Sequence, residues 1–400
     1  MTRSDNEMVH RLASDATVAT RRPLHLFVLI DALGWSYIED RKFLNDVLAY
    51  RRPLRTVLGF SSGAIPTILT GEWPAQNGHW NLFYYDPQGS PFGWLRYFSW
   101  VPGPILNHCV TTKLLKEMGK RLFGLGPLFD CAVRPSLLRW FNWVEKRNIY
   151  DRGGIVGRPS IFDRLADAGI PYHVYTYHDW TDAQILKQAG RDMQSSEAGF
   201  YFLYLSEMDM FLHMNCREER QLAAKLEWYE TELRKLYTLA RQLDPGATLS
   251  IFSDHGMTPI RTEYDLMAEV ERLDCRMPKD YLAVYDSTMA RFWFFSEASR
   301  QAIVETLHCS PCGRIVAEAE LRNLGVFFED RRYGELVFLL HPGWMLARSD
   351  FNGPRWKPAG MHGYHPDDRY SDGVFLSSSR PPAEVVTIAD VYSCMWEGAS

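Results

Sequence analysis

A short apolar run that ends in a carboxylate is the feature that most constrains this chain. LHLFVLID (Leu24–Asp31) is the first such run, and HVYTYHD (His173–Asp179), FYFLYLSEMD (Phe200–Asp209) and ATLSIFSDHG (Ala247–Gly256) share its design. A strand that is apolar on successive residues cannot keep one face in water, so it reads as buried on both faces, as in a parallel sheet. Amphipathic stretches lie between these runs. SIFDRLADAGI (Ser160–Ile170) has helical spacing and stops at Gly169, and Arg217–Leu243 is rich in Glu, Lys, Arg and Leu. Strands alternating with such helices predict an α/β fold: a doubly wound central sheet with helices on both faces. In that architecture functional groups sit beyond the carboxyl ends of the strands, where these acidic residues fall.

The chain has 400 residues, a length that suits one large α/β domain plus an insertion, or two domains. We expect a catalytic core over 23–264 and 346–400, preceded by a polar, flexible N-terminus over 1–22. Residues 73–143 form an aromatic-rich insertion punctuated by Pro and Gly, without clean periodicity. Residues 265–345 read as an α+β cap inserted in the core. In that stretch VYDSTMARFWFFS and ELVFLLHP are strand-like and EASRQAIVETL is helical. The formal charge of −5 carries no basic footprint, which argues against a nucleic acid polymer as partner. An acidic protein that handles phosphates needs local positive charge, and bound metal ions supply it. The seven dispersed cysteines are not a disulfide framework, and Cys309–Cys312 lacks a second pair at zinc-site spacing, so it reads as a surface turn. No apolar segment precedes Leu24 and no stretch approaches the ~18 uninterrupted apolar residues of a membrane span. The expectation is a cytoplasmic protein with no transmembrane segment.

Five short segments offer metal-ligand side chains. Asp31 ends the first run. Ser61 and Ser62 precede a helix-like stretch in FSSGAIPTILTG. Asp209 and His213 stand four residues apart, so they share one face if a helix begins there. Asp254 and His255 sit in SDHGM, where Gly256 is expected to permit a tight turn. His362 lies between Gly360 and Gly363 in GMHGYHP. Taken singly, each has a bland reading: a turn-forming Asp, a satisfied polar His, an N-cap Ser. Taken together, three Asp, three His and a hydroxyl make two sets of N and O donors suited to divalent cations.

The order Asp, hydroxyl, DxxxH, DHG, HG resembles the type I phosphodiesterase / nucleotide pyrophosphatase branch of the alkaline phosphatase superfamily. The words that carry the resemblance are LFVLIDALGW, SSGAIPTILTGEWP, YLSEMDMFLH, FSDHGM and GMHGYHP, with a tail match in GVFLSSSRPP and DVYSCMW. The resemblance implies an alkaline phosphatase-like fold and two divalent metal ions, Zn²⁺ with Mn²⁺ as the alternative. Asp209, His213 and His362 would hold one ion. Asp31, Asp254, His255 and the nucleophile would hold the other. Counting back from Thr70–Gly71 places Ser61 at the nucleophile position, with Ser62 the fallback. The implied reaction is hydrolysis of a phosphodiester or pyrophosphate bond in a small-molecule phosphate ester, through a phospho-serine.

One departure is informative. Diesterases of this branch resemble Thr-Phe-Pro-Asn at the nucleophile, where the Asn holds a phosphate oxygen. This chain has Ser61-Ser62-Gly63-Ala64, and Ala64 cannot donate a hydrogen bond. Ser62, His79 and Asn81 are the remaining candidates for substrate contacts. The nucleophile also has no neighbouring Arg, whose fork would suit a dianionic monoester. Trp and Tyr in the aromatic insertion serve either packing or an apolar wall for a lipid- or sugar-linked phosphate. The competing readings are a phosphomonoesterase, a sulfatase-like hydrolase, a phosphoglycerate mutase and a catalytically inactive binding module. A sulfatase needs Pro at 63 and Arg at 65, where this chain has Gly and Ile. A mutase needs DGxG after the first strand, where this chain has DALG. The intact ligand set argues against an inactive module.

Overall fold

The apolar runs become the centre of a six-stranded sheet. In the computed structural model its order is Tyr50–Leu54, Gly373–Ser377, Thr248–Phe252, His25–Ile30, Phe200–Leu205, Tyr172–Tyr175. The structure describes residues 23–98, 100–123, 134–178, 180–350 and 356–399. The predicted flexible segment 1–22, Asp179 and Cys131 lie outside the described residues. The four strands read from the sequence run parallel to one another, with Ile30 opposite Leu205 and Leu29 opposite Phe252. Gly373–Ser377 is antiparallel to both of its neighbours, so the sheet is mixed.

Side chains alternate across this sheet, and each face buries its own set. Leu26, Val28 and Ile30 pack with Leu222, Leu226 and Leu233 of the long helix Glu219–Leu243. Phe27 and Leu29 face the other way. They pack with Ile65, Ile68 and Leu69 of the helix Ser61–Thr70, and with Val391 and Met395 of the C-terminal helix Asp390–Ala399. Helices therefore cover both faces, which makes the fold doubly wound. The sequence run Phe200–Asp209 is not one strand: it ends at Leu205, and Glu207–Asn215 is a helix.

A second, four-stranded sheet stands apart from the first, in the order Tyr281–Asp286, Met289–Phe294, Leu336–Leu340, Gly313–Ile315, with all pairs antiparallel. The helix Glu297–Cys309 packs on it through Ile303 and Leu307. The aromatic-rich segment forms a strand pair, Phe83–Tyr85 with Phe141–Trp143. Phe83, Phe92, Phe141 and Trp143 join Leu282, Val284 and Trp293 of the second sheet in one buried cluster. Many of the aromatics are thus used in packing. Cys309 and Cys312 are free thiols, the first exposed and the second buried. Among the described residues no helix is long and apolar enough to cross a membrane.

Burial dominates the chemistry of Asp350, beside the edge strand Tyr281–Asp286 of the second sheet. Its Oδ2 accepts a hydrogen bond from the Tyr285 amide at 3.0 Å, and Arg134 Nε lies 3.5 Å from its Oδ1. Desolvation outweighs both and pushes the carboxyl up to about 6. The unfolded value is about 3.9, so the native state binds the extra proton. The stability this confers is present below about pH 4 and lost as pH rises through 6. Asp350→Asn is expected to remove roughly 2–3 kcal/mol of pH dependence across that window. Urea unfolding of both proteins at pH 4.5 and pH 7 checks this; parallel curves for the two would refute it.

Candidate metal centre

The first strand has its two parallel partners on either side, and each of the three strands is followed by one acidic ligand candidate. Asp31 directly follows Ile30, Asp254 comes two residues after Phe252, and Asp209 comes four after Leu205. The site therefore lies beyond the carboxyl ends of three adjacent parallel strands, the expected location in a doubly wound sheet.

Each side chain is held by identifiable local structure. Asp31 is buried, and the next residue, Ala32, has φ 60, a conformation L-residues rarely adopt. That turn aims the Ala32 amide at Asp254 Oδ1, 3.2 Å away. The helix carrying Asp209 starts where it does because Asp182, on another helix, accepts from the amides of Ser206 at 3.0 Å and Glu207 at 3.3 Å. This supplies from outside the cap that Ser206 itself does not make. Asp209 and His213 then lie one turn apart, with His213 Nε2 3.3 Å from Asp209 Oδ1. His362 reaches the same carboxylate oxygen at 3.7 Å, and its ring stacks on His255 at 3.8 Å. It is delivered by a turn in which Gly363 has φ 91, the left-handed region that favours glycine.

Gly256 acts through its small size and not through a left-handed conformation. Its φ is not positive; instead a Cβ there would meet the Tyr370 carbonyl oxygen at 2.2 Å and the Gly34 Cα at 3.1 Å. The residue is small so that two backbones can touch, which brings the loops after the first and the Thr248–Phe252 strands together.

Ser61 is the first residue of a ten-residue helix whose N-cap, Phe60, offers no capping side chain. Its Oγ lies 2.9 Å from His255 Nε2. His255 Nδ1 donates to the Gly256 carbonyl at 2.9 Å, and His213 Nδ1 to the Gly360 carbonyl at 2.9 Å. A backbone carbonyl on one ring nitrogen fixes the tautomer and leaves the other nitrogen's lone pair facing the site, a recurring support for metal ligands. The same geometry argues against a Ser-His-Asp triad. Asp254 Oδ2 lies 3.2 Å from Nε2, the nitrogen that faces Ser61, whereas a triad needs its carboxylate on Nδ1.

The electrostatics are those of a site short of positive charge. Burial, then the charges of Asp254 and Asp209, push the Asp31 carboxyl well above the usual range. Burial works against ionisation of Asp209, yet His213, His362 and His255 together hold it below that range. Burial, then His255, keeps His362 well below an ordinary imidazole, hence neutral. Burial would lower His213 too, but Asp209 and the Gly360 carbonyl outweigh it and hold its pKa up. Asp31 Oδ1, Asp209 Oδ1, Asp254 Oδ2 and His362 Nδ1 are buried and receive no well-directed hydrogen bond. Such atoms are costly unless something compensates them.

Ligand atoms of Asp31, Asp254 and His255 lie within 4.8 Å of one another, and so do those of Asp209, His255 and His362. His255 thus stands between the two groups, with His213 behind Asp209. Ser62 Oγ points away, toward the Trp80 carbonyl at 3.5 Å. Asn81 is buried, and its amide donates to Asp286 at 3.2 Å, within an ion pair to Arg291 in which neither side chain is exposed. His79 is buried with Nδ1 unpartnered, and burial lowers it to about 4. Sequence reasoning missed Tyr204, whose hydroxyl donates to Asp31 Oδ2, with Tyr177 packed on it at 5.2 Å. Its only signal was its place at the end of an apolar strand.

A family model described as type I phosphodiesterase / nucleotide pyrophosphatase matches residues 25–365. Among solved structures, human ectonucleotide pyrophosphatase / phosphodiesterase 5 is similar at TM-score 0.66 and 14% identity, over 94% of each chain. An inactive variant of the murine protein of that name, in complex with AMP, is similar at TM-score 0.65 and 16% identity, over 94% of this chain and 95% of that one. At such identities these structures speak to the fold alone. No curated protein sequence matches the chain.

Proposed function

The chain belongs to the type I phosphodiesterase / nucleotide pyrophosphatase family of hydrolases, and from that premise we propose that it cleaves phosphodiester or pyrophosphate bonds at a two-metal centre, through a phospho-serine on Ser61. The observation that carries this reading is the convergence of three buried carboxylate oxygens lacking hydrogen bonds, beside two imidazoles tethered by backbone carbonyls. Divalent cations that accept both carboxylate oxygen and imidazole nitrogen fit that donor set.

In this reading Asp209, His213 and His362 hold one ion, and Asp31, Ser61, Asp254 and His255 hold the other, with Zn²⁺ favoured over Mn²⁺. Bound cations would lower the pKa of the Ser61 hydroxyl and neutralise charge growing on the phosphoryl oxygens. Ser61 Oγ attacks phosphorus in line while the ester or phosphate leaving group departs opposite; water then cleaves the phospho-serine. The N-terminus of the Ser61–Thr70 helix directs its positive end at the phosphoryl group. Tyr204 orients Asp31 by its hydrogen bond. Of the candidate substrate contacts, His79 keeps a free ring nitrogen and is favoured over Asn81, whose amide is engaged by Asp286. The second sheet and the aromatic strand pair are read as a cap that selects the organic ester group.

The test is kcat/KM for an aryl phosphate monoester against its methyl diester, with Zn²⁺ or Mn²⁺ supplied. The diester is expected to be preferred. A monoester preference of about a hundredfold, roughly 2.7 kcal/mol of transition-state discrimination, would overturn the proposal.

A further inference from the structure

Exposed large apolar side chains are concentrated in one place. Of the fifteen among the described residues, eight lie between Gly93 and Leu122. Trp100, Leu122, Leu114 and Tyr97 are 77%, 70%, 68% and 67% exposed. Scattered exposed hydrophobics need no explanation, but a contiguous set marks an interaction surface. This one is anchored from beneath: Phe92, Leu95 and Leu115 are buried in the aromatic cluster with Leu137 and Leu138. Trp94 and Phe98 pack edge to face at 5.7 Å, and Val110 and Leu114 lie one turn apart on the helix Cys109–Phe123.

Charge decides what covers it. The segment Gly93–Leu122 carries Arg96, Lys113, Lys116, Lys120 and Arg121 against a single acid, Glu117, in a chain whose formal charge is −5. Arg96 lies over the Tyr97 ring at 4.9 Å, so cation and aromatic share one surface. The core of a protein–protein interface is depleted of charge and especially of Lys. Trp, Tyr and Leu interleaved with Lys and Arg instead match a lipid interface, where rings and aliphatic chains sit at the acyl boundary and cations at the headgroups. The helix has fifteen residues, too few to span a bilayer.

We propose that the segment Gly93–Leu122 docks the protein on the surface of an anionic lipid bilayer, lying in the interface without crossing it. The inference is independent of the chemistry of the metal centre.

The full chain should co-sediment with vesicles of phosphatidylcholine containing phosphatidylglycerol and not with phosphatidylcholine alone, and should be released by raised salt. Tryptophan emission should shift to the blue on binding. The paired variant Trp100→Ser, Leu114→Ser should weaken partitioning by at least roughly tenfold, and so should Lys113→Glu, Arg121→Glu at low salt. Both pairs change exposed side chains, so an unaltered thermal unfolding midpoint shows that the fold is intact. Partitioning onto neither vesicle, or equally onto both, would overturn the proposal, as would partitioning unchanged in folded variants. A dimer in sedimentation velocity that the first pair dissolves would assign the face to a second copy of the chain and equally overturn it.

Discussion

Ser61→Ala is expected to lower kcat by at least about a thousandfold, because the proposed route makes its oxygen the atom that bonds to phosphorus. The fold should survive. Ser61 is only partly buried, and its hydroxyl makes one hydrogen bond, to His255 Nε2 at 2.9 Å. Its loss should cost no more than about 1 kcal/mol. The neighbouring hydroxyl gives the control. Ser62 Oγ is turned toward the Trp80 carbonyl, so Ser62→Ala should retain turnover within about tenfold. Trapping by rapid acid quench and mass spectrometry should find phosphate on the peptide containing Ser61 in the wild-type protein and not in the variant. A dead Ser62→Ala beside an active Ser61→Ala would move the nucleophile by one residue.

The candidate site was legible in sequence because its ligands follow structure that sequence states strongly. A strand buried on both faces must be an apolar run, so Leu24–Ile30, Phe200–Leu205 and Ala247–Phe252 announced themselves, and each points to its own acid. Tyr50–Leu54 did not, since an edge strand tolerates the Arg51, Arg52 and Pro53 that spoil a strand pattern. Gly373–Ser377 is short and antiparallel, and only a tail motif drew attention to it. The spacing of Asp209 and His213 puts them on one face only if a helix begins there, and the residue that starts that helix, Asp182, lies far away in sequence, so no local pattern could reveal it. Tyr204 was hidden for a related reason. Along Phe200–Leu205 it alternates with Phe202 onto the same packed face, and only the fold shows that its hydroxyl meets Asp31. The role of Gly256 depends on Tyr370 and Gly34, contacts that exist only once the loops have met.

His362→Ala is the sharper test of the metal assignment. His362 is the one proposed ligand that enters from beyond the second sheet, and it reaches Asp209 Oδ1 at 3.7 Å while stacking on His255. Burial keeps it neutral, the form in which imidazole binds metal. Alanine leaves Asp209 and His213 to hold an ion alone, and two protein ligands are fewer than the three that catalytic zinc sites use. Metal analysis of the purified variant should therefore show loss of one of the two proposed ions, with the Asp31, Asp254 and His255 ion retained. Activity should fall by at least about a thousandfold, equivalent to roughly 4 kcal/mol of transition-state charge stabilisation. The two readouts separate the possible causes. Loss of turnover with both ions retained would make His362 a substrate contact, and loss of both ions together would mean that His255, lying between the two groups, couples them into one site. Full metal content with full turnover would remove His362 from the site and with it the division of ligands proposed here.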